Sequence, residues 1–193
     1  VSSTITPEQR AWNLKLHAEN DVWGGSPYYL IEVSDTNDID LIKFIRSTNP
    51  RSILDFGCGK GYAADNLKQL FPAIDIVKYD PCFPEFETYP EGKFDLVLCY
   101  QVVQMTDATT LALMVQELEQ LTEKYLIVGA IIRPNEDKDE KLDYYLSFFK
   151  NFAVVFKKLW RLAPERLSHK RDLLQHWINN YHVTLILKNI QNT

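Results

Sequence analysis

The chain has 193 residues, 46% of them hydrophobic and 24% charged, which is enough apolar material to build a packed core and falls within the usual size of one domain. No apolar stretch is long enough to cross a membrane, and the polar start from Val1 to Gln9 lacks the basic and apolar regions of a secretory signal, so a cytoplasmic protein without a membrane contact is expected. The net charge of -5 is uneven: residues 1–149 carry 13 basic and 24 acidic side chains, residues 150–193 carry 8 and 2. Cys58, Cys82 and Cys99 are odd in number and fit no metal-ligand spacing, so neither a disulfide framework nor a metal site is expected.

In chain order, Thr6, Pro7, Glu8 and Gln9 combine a capping residue with a proline at the first helical position, which predicts a helix to about Glu19. Trp23 to Pro27 reads as a loop, and the spacing of Ile39, Ile42 and Ile45 predicts a helix over Asp38 to Arg46. Ile53 and Leu54 open a short strand that runs into the turn Gly57 to Gly61, followed by a helix from Tyr62 to Leu70. Ile74, Ile76 and Val77 form a second strand ending on Asp80, and Phe94 to Cys99 a third. Leu111 to Leu121 has helical spacing, and Tyr125 to Ile132 is a continuous apolar run of the kind buried on both faces of a sheet. Strands alternating with helices predict one α/β domain over residues 1–193, with a doubly wound, mostly parallel, Rossmann-like sheet.

The end of the chain is expected to differ. A helical insertion over about 133–168 is predicted, with Phe149, Phe152, Phe156, Leu159 and Trp160 sharing one face of a helix from Leu142 to Leu162. That face either packs on the core or forms a substrate cap or a homo-oligomer interface. A last helix from Lys170 to Asn180 and a strand from His182 to Lys188 complete the pattern. Between Asp80 and Phe94 only 13 residues remain, too few for a helix and another strand, so that crossover is abridged.

The turn after Phe56 carries the chemistry. In an open parallel sheet the ligand site lies beyond the carboxyl ends of the strands, and Gly57, Gly59 and Gly61 let the chain turn tightly and bring backbone N–H groups toward a negative group of a ligand. Asp55, two places before the first glycine, changes the expected ligand, because a carboxylate repels a pyrophosphate and accepts hydrogen bonds from an ammonium. The spacing is Gly-x-Gly-x-Gly, not the wider Gly-x-Gly-x-x-Gly of dinucleotide sites, and Lys60 is followed by Gly61, not by the Ser or Thr of a phosphate-binding loop. Asp80, 25 residues after Asp55 at the end of the next strand, is placed to hydrogen-bond ribose hydroxyls.

The run Ile53 to Gly61 resembles the first motif of class I S-adenosylmethionine-dependent methyltransferases. Lys78, Tyr79, Asp80 and Pro81, the Trp23-Gly24 loop and the strand Phe94 to Cys99 are similar to segments of small methyltransferases of bacterial and phage genomes, over roughly residues 17 to 131. The resemblance implies S-adenosylmethionine as cofactor, held by Asp55, Gly57, Cys58, Gly59, Gly61, Asp80, Pro81, Phe86 and Cys99. The loop from Cys82 to Pro90 would wall the adenine through Phe83 or Phe86, unless these rings pack on the sheet edge. Cys99 reads as a buried strand-end thiol in preference to the nucleophile of a cytosine C5 enzyme, since the proline of that motif is absent.

In such a fold the residues after the third strand face the reactive methyl, which makes Tyr100, Gln101 and Gln104 candidates for catalytic work. Similar enzymes carry two acids and a histidine where this chain has Gln101, Gln104 and Met105, so positioning of the nucleophile takes the place of a strong base. His169 and His17 are the candidate bases elsewhere. The signatures of DNA amino-, cytosine C5- and ribose 2′-O-methylating enzymes are absent. The acidic remainder of the chain would repel a long polyanion, so a small-molecule or protein substrate is favoured, with nucleic acid as the alternative through the basic residues Lys157, Lys158, Arg161, Arg166, Lys170 and Arg171. A catalytically silent, cofactor-binding scaffold is the competing function.

Overall fold

The computed structural model describes residues 5–19, 41–161 and 181–191. Local capping sets the helix starts. Thr6 Oγ1 accepts the N–H of Gln9 at 3.1 Å and Pro7 opens helix α1 (Pro7–Glu19). Asp107 accepts the N–H of Thr110 at 2.8 Å ahead of α4 (Ala108–Leu121), and Asp137 accepts those of Asp139 and Glu140 ahead of α5 (Lys138–Leu146). Between α1 and α4 lie α2 (Leu41–Thr48) and α3 (Tyr62–Leu70).

The strands are β1 (Ser52–Phe56), β2 (Asp75–Tyr79), β3 (Phe94–Tyr100), β4 (Thr122–Ile132), β5 (Phe152–Arg161) and β6 (Tyr181–Asn189). They form one six-stranded sheet in the order β2-β1-β3-β4-β6-β5. β1 pairs in parallel with β2 and β3, and β3 with β4, while β6 runs antiparallel to both β4 and β5. The chain leaves β1 toward β2 on one side and reaches β3 on the other. That reversal opens a crevice at the carboxyl ends of β1 and β3, the place where such sheets hold their ligands. The predicted doubly wound, mostly parallel sheet is present, and residues 80–93 cross from β2 to β3 without a helix, as their number requires.

The alternation of β1 and β3 divides the core into two layers. Leu54, Val97 and Cys99 pack with Leu111, Val115 and Leu118 of α4 and with Leu142 and Tyr145 of α5. Ile53, Leu96 and Leu98 face the other way, onto Leu41 and Ile45 of α2 and Leu67 of α3. Each wholly buried leucine, such as Leu54 or Leu98, contributes about 1.5–3 kcal/mol by leaving water.

The aromatic stretch near the end departs from the sequence reading. The helix predicted over Leu142 to Leu162 stops at Leu146, and Phe152 to Arg161 is the edge strand β5. Among the described residues the helical insertion is α5 alone, and Phe152, Phe156, Leu159 and Trp160 lie on a strand, so the aromatic helix expected as a cap or homo-oligomer interface is not formed over them. The cause is a register shift between Val154 and Phe156, which puts Phe152 and Leu159 on the α4 side and Phe156 on the opposite side. A bulge that breaks period-two alternation leaves apolar spacings of three and four, and these mimic a helix. The Trp23-Gly24 loop, His169, Arg166, Lys170, Arg171 and the helix predicted over Lys170 to Asn180 lie outside the described residues.

Candidate active site

The turn after β1 is left-handed at all three glycines, with φ of 75° at Gly57, 54° at Gly59 and 74° at Gly61. At Gly57 a Cβ would collide with Cγ2 of Val102, so the missing side chain is what lets the segment after β3 lie against the turn. The loop that was expected to hold a cofactor and the segment expected to face its reactive end are in this way brought together.

One expectation is corrected. The N–H groups of Gly57 and Cys58 both donate to the carbonyl of Tyr79, at 2.8 and 3.1 Å, and that of Gly61 to the carbonyl of Cys58 at 2.8 Å. The N–H of Gly59 donates to Asp80 Oδ2 at 2.8 Å. These four amides are spent inside the protein and are not aimed at an anion. The reason is the closeness of β2, whose last residues stitch the turn down, so what the turn offers a ligand is shape and negative charge.

That charge comes from two buried carboxylates. Asp55 is 5% exposed, its carboxyl takes a hydrogen bond from the backbone of Ala64 in the first turn of α3, and Oδ2 has no partner. Burial, with the neighbouring Asp80 charge adding to it, pushes its pKa up to about 7. Asp80 is 7% exposed and is held in place on both oxygens: Oδ2 by Gly59, and Oδ1 by the N–H of Cys82 at 2.8 Å. Each of these oxygens keeps capacity for a second donor.

Beyond Asp80 the chain folds back at once. The N–H of Asp80 donates to Phe86 O at 3.0 Å, and those of Phe83 and Phe86 close two further turns at 3.1 and 2.9 Å. The rings of Phe83 and Phe86 stack with centroids 6.3 Å apart. Lys78, two residues before Asp80 on β2, sets its ammonium 4.9 Å from the Phe86 centroid and 2.7 Å from Asp65 Oδ1, while its aliphatic end fills the space where a Cβ on Gly61 would lie. Phe86 is therefore fixed from two sides, and Pro81 beside it is half-buried.

At the end of β3, Cys99 is wholly buried, and burial followed by the Asp55 charge keeps its thiol protonated. The ring of Tyr100 lies against Gly129 of β4, where a Cβ would collide with it, and packs with the α2 side of the core. Gln101 takes a left-handed φ of 61°, rare for a side chain of its size, and its N–H donates to Gly129 O at 2.6 Å. Gln104, in the short 3-10 turn Val103–Met105, holds a buried Oε1 with no partner. Cys58 is buried, and burial with the Asp55 and Asp80 charges raises its thiol far out of the nucleophilic range.

Asp55, the three glycines, Cys58 and Asp80 are thus brought together where β1 and β2 end, Pro81 and Phe86 follow Asp80 in the loop, and Cys99 and Gln101 lie at the end of β3, while Tyr100 turns its ring into the core. Lys78 and Val102 were missed by sequence reasoning. Lys78 could have been found from its place two residues before Asp80, on the same face of a strand. Val102 carries no local signal, since only the fold brings it to Gly57.

The architecture is similar to that of solved methyltransferases. Magnesium protoporphyrin IX methyltransferase from Synechocystis PCC 6803, solved with S-adenosylmethionine bound, superposes with a TM-score of 0.61 at 14% identity over 97% of this chain and 100% of that one. The N-methyltransferase NodS from Bradyrhizobium japonicum WM9, in complex with S-adenosyl-L-homocysteine, gives 0.56 at 12% identity over 94% and 98%. No curated protein matches the chain in sequence. At these identities the likeness is one of fold. The family is shown by sequence: the family model described as a methyltransferase domain matches residues 35–151, more than half of the chain, which is therefore a member of the methyltransferase domain family, built on the class I, Rossmann-like fold.

Proposed function

We propose that the chain transfers the methyl group of S-adenosylmethionine to a nucleophile on a small molecule or protein that docks over the end of β3. The observation that carries this reading is the unpartnered Oδ2 of Asp55, beside a glycine turn whose amides are already used. Such a site disfavours a pyrophosphate and suits a ligand that brings an ammonium and hydroxyl donors, so the residues present fit this cofactor. When bound, its sulfonium supplies an electron-poor methyl carbon open to attack.

The chain's own residues do the rest. Asp55 accepts from the ammonium, and Asp80 turns its spare acceptor capacity to the ribose hydroxyls. Gly57, Cys58, Gly59 and Gly61 form the floor, Pro81 and Phe86 flank the base, and Cys99 packs beneath. Gln101 and the unpartnered Oε1 of Gln104 orient the acceptor. Gln101 and Gln104 include no strong base, so their contribution is alignment of the nucleophile, while the Tyr100 ring stays packed in the core. His169, outside the described residues, is the chain's candidate for taking a proton. The acidic remainder of the chain disfavours a long polyanion as substrate.

S-adenosylmethionine and S-adenosylhomocysteine should raise the melting temperature while NADH and ATP do not, since a ligand at about 100 times its dissociation constant adds roughly 2.7 kcal/mol. Equal stabilisation by NADH would sink the cofactor assignment. The missing acid and base at Gln101 and Gln104 keep a second reading, a cofactor-binding scaffold without turnover. Transfer of isotope from labelled S-adenosylmethionine to any acceptor among candidate small molecules and proteins separates the two.

A further inference from the structure

Helix α1 buries none of its 13 residues, whereas α2, α3, α4 and α5 each bury two or more. A polar stripe sets its position. Arg10, Asn13 and His17 are spaced three and four apart and share one face. Each of them meets the loop after Asp80. The guanidinium of Arg10 pairs with Glu87, Asn13 Nδ2 donates to Cys82 Sγ at 3.1 Å, and the imidazole of His17 stands edge-on to Phe83 with centroids 5.0 Å apart at 72°. Gln9 donates to Asn13 Oδ1 at 3.1 Å, which points the Asn13 amino group at Cys82. At the end of the stripe, Nδ1 of His17 is closed off from solvent and has no hydrogen-bond partner. An orphaned buried nitrogen is costly in the free protein, and a ligand group that pairs with it removes the cost.

We infer that α1 is a wall of the nucleoside pocket and that His17 Nδ1 reads the base, accepting a hydrogen bond from the exocyclic amine of adenine. This rests on the cofactor reading above. The chemistry selects the amine: in the tautomer that carries its hydrogen on Nε2, Nδ1 needs a donor, the ribose hydroxyls are taken by Asp80, and the exocyclic amine is the donor that remains on an adenosine. His17 is then a specificity residue, and the Arg10 and Asn13 contacts hold it in place. Because the stripe of α1 lies on the ligand loop, occupancy of the pocket also tightens the helix on that loop.

The test is calorimetric titration of the full chain with S-adenosylhomocysteine and with its 6-oxo analogue, S-inosylhomocysteine, which presents an acceptor where adenine presents the amine. The wild type should prefer the adenine ligand by about tenfold or more. His17→Phe keeps the ring contact with Phe83 and should lose that preference, mainly through weaker binding of S-adenosylhomocysteine. Arg10→Ala should weaken both ligands by a few-fold alike, and amide exchange over residues 7–19 should slow when S-adenosylhomocysteine binds. Undiminished discrimination in His17→Phe, or α1 exchange indifferent to ligand, overturns the inference. Asp80→Ala separates the two levels. If it abolishes binding while His17→Phe changes nothing, the cofactor reading stands and His17 does not read the base; if the wild type binds neither ligand, the cofactor reading itself fails.

Discussion

Asp95 and Asp55 lie on the neighbouring strands β3 and β1 and are equally buried, at 3% and 5% exposed, yet they sit at opposite ends of the sheet and in opposite electrostatic states. Asp95, at the amino end of β3, accepts the N–H of Arg51 at 2.7 Å and the ammonium of Lys124 at 3.0 Å. Burial by itself would raise its pKa, but these partners outweigh it and hold the carboxyl below the usual range. Asp55, at the carboxyl end of β1, has one backbone donor and an orphaned oxygen, and burial pushes it up to about 7. Equal burial with unequal partners separates a carboxylate that holds the fold from one left with an open acceptor, the one proposed to meet the ligand.

The largest effect should come at the structural end. Asp95→Ala removes charge-assisted hydrogen bonds and should cost about 3 kcal/mol of unfolding free energy, roughly 6 to 12 °C of Tm, while the folded protein keeps its affinity for S-adenosylhomocysteine. Denaturant titration and calorimetry on the same variant decide this. Weakened binding at unchanged stability would reverse the two assignments.

At the other end, Asp55→Asn should cost about 2 kcal/mol of ligand binding, roughly 30-fold, because an amide replaces a carboxylate opposite an ammonium. Its ligand-free stability at pH 8 should equal or exceed that of the wild type, since a buried charge without a counterion is gone. A stability loss like that of Asp95→Ala would erase the contrast.

The pH dependence sharpens the same comparison through its sign. Asp55 is raised from 3.8 to about 7 in the folded state, so between those values the native protein holds more protons than the unfolded one and stability falls as pH rises. The slope is at most roughly 1.4 kcal/mol per pH unit and should vanish in Asp55→Asn. Asp95 is lowered, so its contribution is present above the ordinary carboxylate pKa and is lost as pH falls below it. Affinity for S-adenosylhomocysteine should climb as Asp55 ionises near neutrality. A flat binding profile between pH 6 and 8 would show that Asp55 does not meet the ammonium.

The smallest effect is expected at Lys78, where the ion pair with Asp65 is partly exposed and the ammonium also rests over Phe86. Lys78→Met should weaken the cofactor by about 1 kcal/mol or less, with little change in stability. A loss as large as that of Asp55→Asn would mean that Lys78 contacts the ligand itself.

Sequence reasoning located Asp55, the glycine turn and Asp80 because each is signalled locally: a short apolar run ending on an acid, residues that alone tolerate left-handed φ, and an acid at the next strand's end. It also found the abridged crossover, since 13 residues cannot hold a helix and a strand. It misread β5, where a bulge at Val154 to Phe156 turned strand alternation into apparent helical spacing. It assigned the turn's amides to a ligand because nothing near Gly57 announces that Tyr79 and Asp80 will take them.

By itself, then, the amino-acid sequence determined the order of strands and helices from β1 to β4, the position of the glycine turn and the family, all properties carried by residues close together along the chain. Tertiary structure alone decided which carboxylate is satisfied and which is left open, that Val102 closes on Gly57, and that the stripe of α1 rests on the loop after Asp80. These depend on groups tens of residues apart arriving at the same few ångströms, and hydrophobic periodicity carries no record of such meetings, because it reports which face of an element is buried and not what that face will touch.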